Sequence, residues 1–331
     1  MNENNVEKKN SYTKFSEAAV GTSIERPVVV STVKDAEGKG GTYVKLTLMD
    51  GSSVIQANMW KTSTAELEQK GITEGCIADV LIDVQEFNGK SYIVKKIAPT
   101  KESDVTIDDF IKTPPIPSSV MFDEMIALLE SASNDYNGKY EPLSKLAISI
   151  LTSEKIEDRF KTSSAAISMH HNMKSGLIYH SYRMMKLADV ICTVYPDLDR
   201  ELLLCSAALH DIGKVWEYAT NLYGEAEFTS AGVLFGHLYL GASLIKQYSA
   251  KSNYNPEKVM LLTHMILSHH GTQEYGAVKT PAFAEAYVLH YIDNIDAKIG
   301  TCENYYETLM PGETTEKTPF GLTNRIYKPR L

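Results

Sequence analysis

The sequence predicts two domains of different class, an N-terminal all-β barrel and a C-terminal all-α bundle, and three observations carry that division. Between residues 21 and 100, apolar side chains alternate at period two in short runs separated by turn signals, the pattern of strands with one buried face. From Met121 to about residue 300 the apolar spacing changes to steps of three and four, the pattern of amphipathic helices. Between them, Thr113-Pro114-Pro115-Ile116-Pro117 places three prolines in four positions, which neither a helix interior nor a central strand accepts. Residues 101–120 therefore read as a stiff linker.

Composition supports a water-soluble, two-domain chain. At 331 residues it exceeds one ordinary domain. No apolar run approaches the ~20 residues needed to cross a bilayer, and Met1 to Asn10 lacks the apolar centre of a signal peptide, so a cytoplasmic location is expected. Cys76, Cys192, Cys205 and Cys302 show no Cys-x-x-Cys spacing, which argues against a disulfide framework and a thiolate zinc site. The net charge of −9 counts against broad nonspecific affinity for nucleic acid. Bound divalent ions would reverse the field at the carboxylates that hold them, so net charge does not decide the substrate.

Residues 1–20 form a polar arm or a first short element. In the β region, residues 21–100, Val28-Val29-Val30 comes first, and Lys34 to Gly41, with its charges and glycines, reads as a loop. Tyr43 to Leu48 alternates and runs into the hairpin signal Asp50-Gly51, and Val54 to Trp60 is its partner. A short helix, Thr64 to Lys70, precedes strands at Cys76–Phe87 and Ser91–Ile97 joined by Asn88-Gly89. Five strands with one helix before the fourth is the pattern of an OB-fold, a small Greek-key barrel that binds oligonucleotides on one face. On that reading Tyr43, Trp60, Phe87 and Tyr92 are either stacking platforms for bases or packing residues, and Lys90 either tracks phosphate or lines a solvated edge.

Helices are expected near 121–133, 142–151, 153–160, 176–195, 199–218, 232–250, 256–269 and 281–298 within a domain spanning 121–300, with a tail over 301–331. His and Asp recur on five of them. On the 176–195 helix, Leu177, His180, Met184, Leu187 and Ile191 share one face, which buries His180. His210-Asp211 follows on the next segment, then His237, the pair His269-His270, and Asp293. Neutral imidazoles with carboxylates favour Mn, Fe, Co or Zn over Mg.

This order, His, His-Asp, Asp, resembles the HD-domain superfamily of metal-dependent phosphohydrolases, and the added His and His-His match its binuclear members. The resemblance places one ion on His180, His210, Asp211 and Asp293, and a second on His237, His269 and His270, with Asp211 bridging. His170-His171 ahead of Gly176-Leu177, Ser268-His269-His270-Gly271 with Glu274-Tyr275-Gly276, and Tyr291 to Ala297 resemble the YhaM-type 3′→5′ exoribonucleases, which also carry an OB-fold before an HD domain. The histidine pair lacks the following Gly-Tyr-Pro of cyclic-dinucleotide phosphodiesterases, and Gly176 stands where a third ion would need an acid.

The resemblance implies two divalent ions, with Mn favoured, hydrolysing single-stranded RNA, with single-stranded DNA an open alternative, from the 3′ end to nucleoside 5′-monophosphates. Lys214 either neutralises charge on the phosphate or closes a surface helix. One of His170 and His171 would bind phosphate or protonate the leaving oxygen, while the other orients a ligand. A closed channel would favour processive degradation, so a homo-oligomer is expected. Two readings stand against this one: a phosphohydrolase of nucleotides or cyclic dinucleotides, and a catalytically silent nucleic-acid-binding module.

Overall fold

The computed structural model describes residues 12–331 apart from 39–40, 88, 134–137, 168–172 and 308. It divides into two units, Met1–Lys112 and Thr113–Leu331.

The first unit is a closed five-stranded barrel with strand order β1-β2-β3-β5-β4, formed by β1 (Ser23–Gly38), β2 (Gly41–Met49), β3 (Val54–Trp60), β4 (Ile77–Glu86) and β5 (Lys90–Pro99). Period-two patterning decides which side chains fill it: Val44, Leu46 and Leu48 of β2 and Ala78, Val80, Ile82 and Val84 of β4 are all buried. Helix α1 (Thr64–Gln69) lies between β3 and β4, its start fixed by Ser63 accepting the Glu66 N–H. It buries Leu67 fully in the barrel core, a burial that contributes about 1.5–3 kcal/mol.

β1 is longer than the sequence reading. It pairs with β4 over Ser23–Val29 and with β2 over Val29–Gly38, and a register shift between Val30 and Thr32 bends it from one partner to the other. The charged stretch from Lys34, expected as a loop, is thus strand as far as Gly38. Its side chains alternate little because this end of β1 is solvated, which removes the period-two signal while the ladder to β2 remains.

The segment before β1 packs onto the barrel. Phe15 is buried and its N–H donates to Asp50 Oδ2 at 2.7 Å. The same carboxylate pairs with the buried Arg26 guanidinium at 2.7 Å, and Arg26 also donates to the Thr13 carbonyl. Breaking a buried pair of this kind costs about 3–5 kcal/mol, so Asp50 does more than mark a turn. The expected linker also contributes to this unit, since Phe110 and Ile111 are buried.

The second unit is built on α2 (Ser118–Ser131), α3 (Leu143–Leu151), α4 (Glu157–Thr162), α5 (Gly176–Val194), α6 (Arg200–Leu209), α7 (Lys214–Glu217), α8 (Ser230–Ser249), α9 (Pro256–Ser268) and α10 (Ala284–Tyr306). Leu177, Met184, Leu204, Ile245, Met265, Ile266, Leu289 and Ile292 meet in one core. The single helix expected over 199–218 is broken: α6 stops at Leu209, a turn carries His210 to Gly213, and α7 gives way to a small hairpin of β6 (Tyr218–Thr220) and β7 (Ala226–Phe228). After α10 the chain doubles back, with Ile326 buried and the Lys328 ammonium on the carbonyls of Tyr306 (2.5 Å) and Leu309 (2.7 Å). A cation on those carbonyls satisfies acceptors at a helix C-terminus.

Candidate metal centre

Local structure turns each expected ligand inward. His180 lies on the inner face of α5, and His210 and His269 each follow the last residue of a helix. Gly213, two residues after Asp211, has a specific cause: a Cβ there would collide with the His237 carbonyl and crowd the Gly241 N–H. Glycine lets α8 pass against the His-Asp turn. α8 itself is broken at Gly236 (φ 70°, ψ 160°), a left-handed φ that favours glycine. The helix restarts at His237, whose N–H donates to Glu217 Oε1 at 3.0 Å.

Two clusters result, and both share Asp211. In the first, His180 Nε2 lies 3.1 Å from His210 Nε2, 3.3 Å from Asp293 Oδ1 and 3.8 Å from Asp211 Oδ2. In the second, His237 Nε2 lies 3.3 Å from His270 Nε2 and 3.5 Å from Asp211 Oδ1, and His269 Nε2 lies 3.7 Å from that same oxygen. Lys214 Nζ sits on Asp211 Oδ2 at 2.7 Å.

The outer nitrogens of four imidazoles are occupied. His180 Nδ1 meets Asp296 Oδ2 at 2.7 Å and His237 Nδ1 meets Glu217 Oε2 at 2.9 Å. His210 Nδ1 meets the Ala207 carbonyl at 3.0 Å, and His269 Nδ1 the Ile266 carbonyl at 2.8 Å. A neutral imidazole that donates from Nδ1 presents a lone pair at Nε2, so His210 and His269, whose Nδ1 atoms donate to carbonyls, aim lone pairs into the clusters. Asp211 Oδ1, buried and without a hydrogen-bond partner among the described residues, faces the second cluster. Facing lone pairs and an orphaned carboxylate oxygen are costly alone and favourable around a cation, so the residues fit a divalent ion in each cluster.

Electrostatics separate the clusters. Burial works against charge on His180, but the carboxylates of Asp293 and Asp296 outweigh it and push the imidazole up to about 10. Burial also opposes the charge of Asp211, yet Lys214, His210 and His237 hold that carboxyl well below its ordinary range. His269 goes the other way, depressed by burial and by neighbouring His270 and His210. The first cluster is thus rich in negative charge, whereas burial favours the neutral form of His269 and His270 in the second.

His170 and His171 lie outside the described residues. Asp296, Glu217 and Arg183 were not singled out in the sequence. Asp293-x-x-Asp296 puts two carboxylates one helical turn apart, a signal that could have found the first of them. His290, half-buried, uses Nδ1 on the His269 carbonyl at 2.8 Å, and its ring fills the space beside Gly271.

On the barrel, Tyr43 and Trp60 are directly opposed on β2 and β3, with ring centroids 4.5 Å apart, and Trp60 is 40% exposed. Lys34 and Lys45, also directly opposed, extend the same outward face. The other three candidates are elsewhere. Phe87 is exposed beside the β4–β5 turn, and Lys90 Nζ is engaged by the Ala18 carbonyl at 2.5 Å. Tyr92 packs on the barrel core, its ring centroid 6.3 Å from that of Phe15. Both contacts come from the segment before β1, which packs on that side of the barrel.

The HD domain, as a family, matches residues 177–298, a span that holds every candidate ligand of both clusters. The 3′-5′ exoribonuclease YhaM of Bacillus subtilis is 33% identical over 314 residues, covering 94% of this chain and 96% of that protein. Its counterpart in Bacillus licheniformis is 34% identical over 316 residues with the same coverage. The chain belongs to the YhaM exoribonuclease family. Membership spans barrel and bundle alike, since the matched share of the chain is larger than either unit. A solved mitochondrial single-stranded DNA binding protein of S. cerevisiae, 10% identical over 26% of this chain and 100% of its own, has a TM-score of 0.23, too low to carry an argument. Among the described residues, no helix is long and apolar enough to cross a membrane.

Proposed function

We propose that the chain is a two-metal 3′→5′ exoribonuclease that hydrolyses single-stranded RNA and releases nucleoside 5′-monophosphates. The observation that carries this reading is the division of Asp211, with Oδ2 toward His180 and His210 and Oδ1 toward His237 and His269. His180, His210 and Asp293 would hold one ion and His237, His269 and His270 the other. Mn is favoured by the resemblance, and Fe, Co and Zn suit the same donors. When bound, the ions supply Lewis-acid activation of water and charge neutralisation at a phosphate. Lys214, its ammonium 2.7 Å from Asp211 Oδ2, would fix the rotation of that carboxylate and bring positive charge to the phosphate beside it.

The barrel supplies the substrate face. Like charges directly opposite in a sheet are destabilising, so Lys34 beside Lys45 suits an anionic ligand, and the Tyr43–Trp60 pair offers a base a stacking surface worth about 1–3 kcal/mol.

Polarity and product test this reading together. A 5′-labelled oligoribonucleotide with Mn²⁺ should shorten in single steps, while a 3′-labelled one should release labelled mononucleotide at once. Internal cuts would overturn the exonuclease reading, and turnover confined to free nucleotides or cyclic dinucleotides would favour the phosphohydrolase alternative. A DNA oligomer run alongside decides the sugar.

His180 gives a pH prediction. Its imidazolium in the metal-free protein is held to about 10, above the ordinary 6.5, so the stability it contributes is complete below about 6.5 and is lost as pH rises through 10. Metal binding requires that proton to leave. From pH 7 to 10 the thermal midpoint of chelator-stripped protein should therefore fall, and the gap to Mn²⁺-loaded protein should widen. A stripped midpoint that climbs across this window would contradict the assignment.

A further inference from the structure

We propose that Asp296, clamped by Arg183, is a positioning residue for the metal centre, setting the tautomer and ring orientation of His180. The inference rests on the reading of His180 as a metal ligand. His210 and His269 lie at helix ends, where the carbonyl three residues back is free to accept from Nδ1. His180 lies within α5, where the neighbouring carbonyls are already used by the helix, so its partner comes from another element. Asp296 of α10 fills that role at 2.7 Å.

A carboxylate 1% exposed needs a compensating cation, and Arg183 supplies it with Nε on Asp296 Oδ1 at 2.6 Å. Arg183 sits on α5 one turn after His180, so the two grip Asp296 from the same helix face. The guanidinium is itself fixed by Glu303 at 2.8 Å and by the Tyr179 ring, 5.3 Å from its centroid. One oxygen of Asp296 is thus committed to Arg183 and the other to His180. The imidazole can present only Nε2 to His210, Asp211 and Asp293. Glu303, five residues past the end of the HD-domain match at 298, extends the support of the centre beyond that match.

A double-mutant comparison separates positioning from mere structural pairing, read by calorimetric titration of metal-free protein with Mn²⁺ and by thermal unfolding. Asp296→Asn should weaken one of the two binding events by about 10–100-fold and leave the other in place. Arg183→Met alone leaves a buried carboxylate without its cation and should lower the unfolding midpoint. The Arg183→Met/Asp296→Asn variant should regain that midpoint while Mn²⁺ affinity stays reduced. Wild-type affinity in Asp296→Asn, or affinity that recovers with stability in the double variant, would overturn the proposal. The titration uses no RNA, so a chain that binds Mn²⁺ as described and cleaves nothing would remove the nuclease reading alone. A wild-type chain that binds no Mn²⁺ would remove the metal centre and this role with it.

Discussion

Asp211→Ala should lower RNA turnover by more than about 1,000-fold, a loss of over ~4 kcal/mol in transition-state stabilisation. The size follows from its two oxygens. Each other candidate ligand faces one cluster, whereas Asp211 faces both, so its loss should weaken metal binding at both. The truncation also leaves the Lys214 ammonium, 15% exposed, without its partner, so some loss of stability accompanies the change. Asp211→Asn separates the effects: it keeps the shape, removes the charge, and should lose turnover equally while its far-UV circular dichroism matches the wild type. An asparagine variant with near-normal, metal-dependent turnover would rule out the bridging role.

Gly213→Ala should cost at least about 100-fold in turnover although it touches no ligand side chain. A single methyl there meets the backbone carbonyl of His237 and the backbone N–H of Gly241, neither of which can turn aside as a side chain could. α8 must shift, taking His237 away from His270 and Asp211 while His180, His210 and Asp293 stay in place. The expected signature is loss of one bound Mn²⁺ with retention of the other, together with a destabilisation of about 1–3 kcal/mol. A variant that holds two ions and turns over RNA normally would show that the close passage of α8 is not required.

Much of the clustering of these His and Asp residues was legible because they sit on or at the ends of helices whose apolar period is strong. The three- and four-residue steps around His180 fixed its inward face, and the order of His and Asp along the chain carried the family resemblance. Glu217 was hidden by the unbroken helix expected over 199–218: apolar spacing continues through the turn at His210–Gly213, and nothing local announces that the chain breaks there. The cause is tertiary, namely the closeness of α8 to Gly213. Asp296 stood inside a recognised motif, but its contact with His180 spans 116 residues and no local pattern encodes it.

On the barrel, the opposed placement of Tyr43 and Trp60 follows from strands that alternate cleanly, whereas Lys34 reads as loop because a solvated strand end lacks the period-two signal. The contacts of Lys90 and Tyr92 with Ala18 and Phe15 were not foreseen, because those two residues come from a segment whose polar composition gave little hint that it packs on the barrel.

Metal stoichiometry tests the central claim most directly. Metal-free protein titrated with Mn²⁺ and measured by elemental analysis after gel filtration should retain two ions per chain, and His237→Ala should retain one. A wild-type chain that saturates at a single ion, with His237→Ala unchanged from it, would contradict a centre built on both oxygens of Asp211.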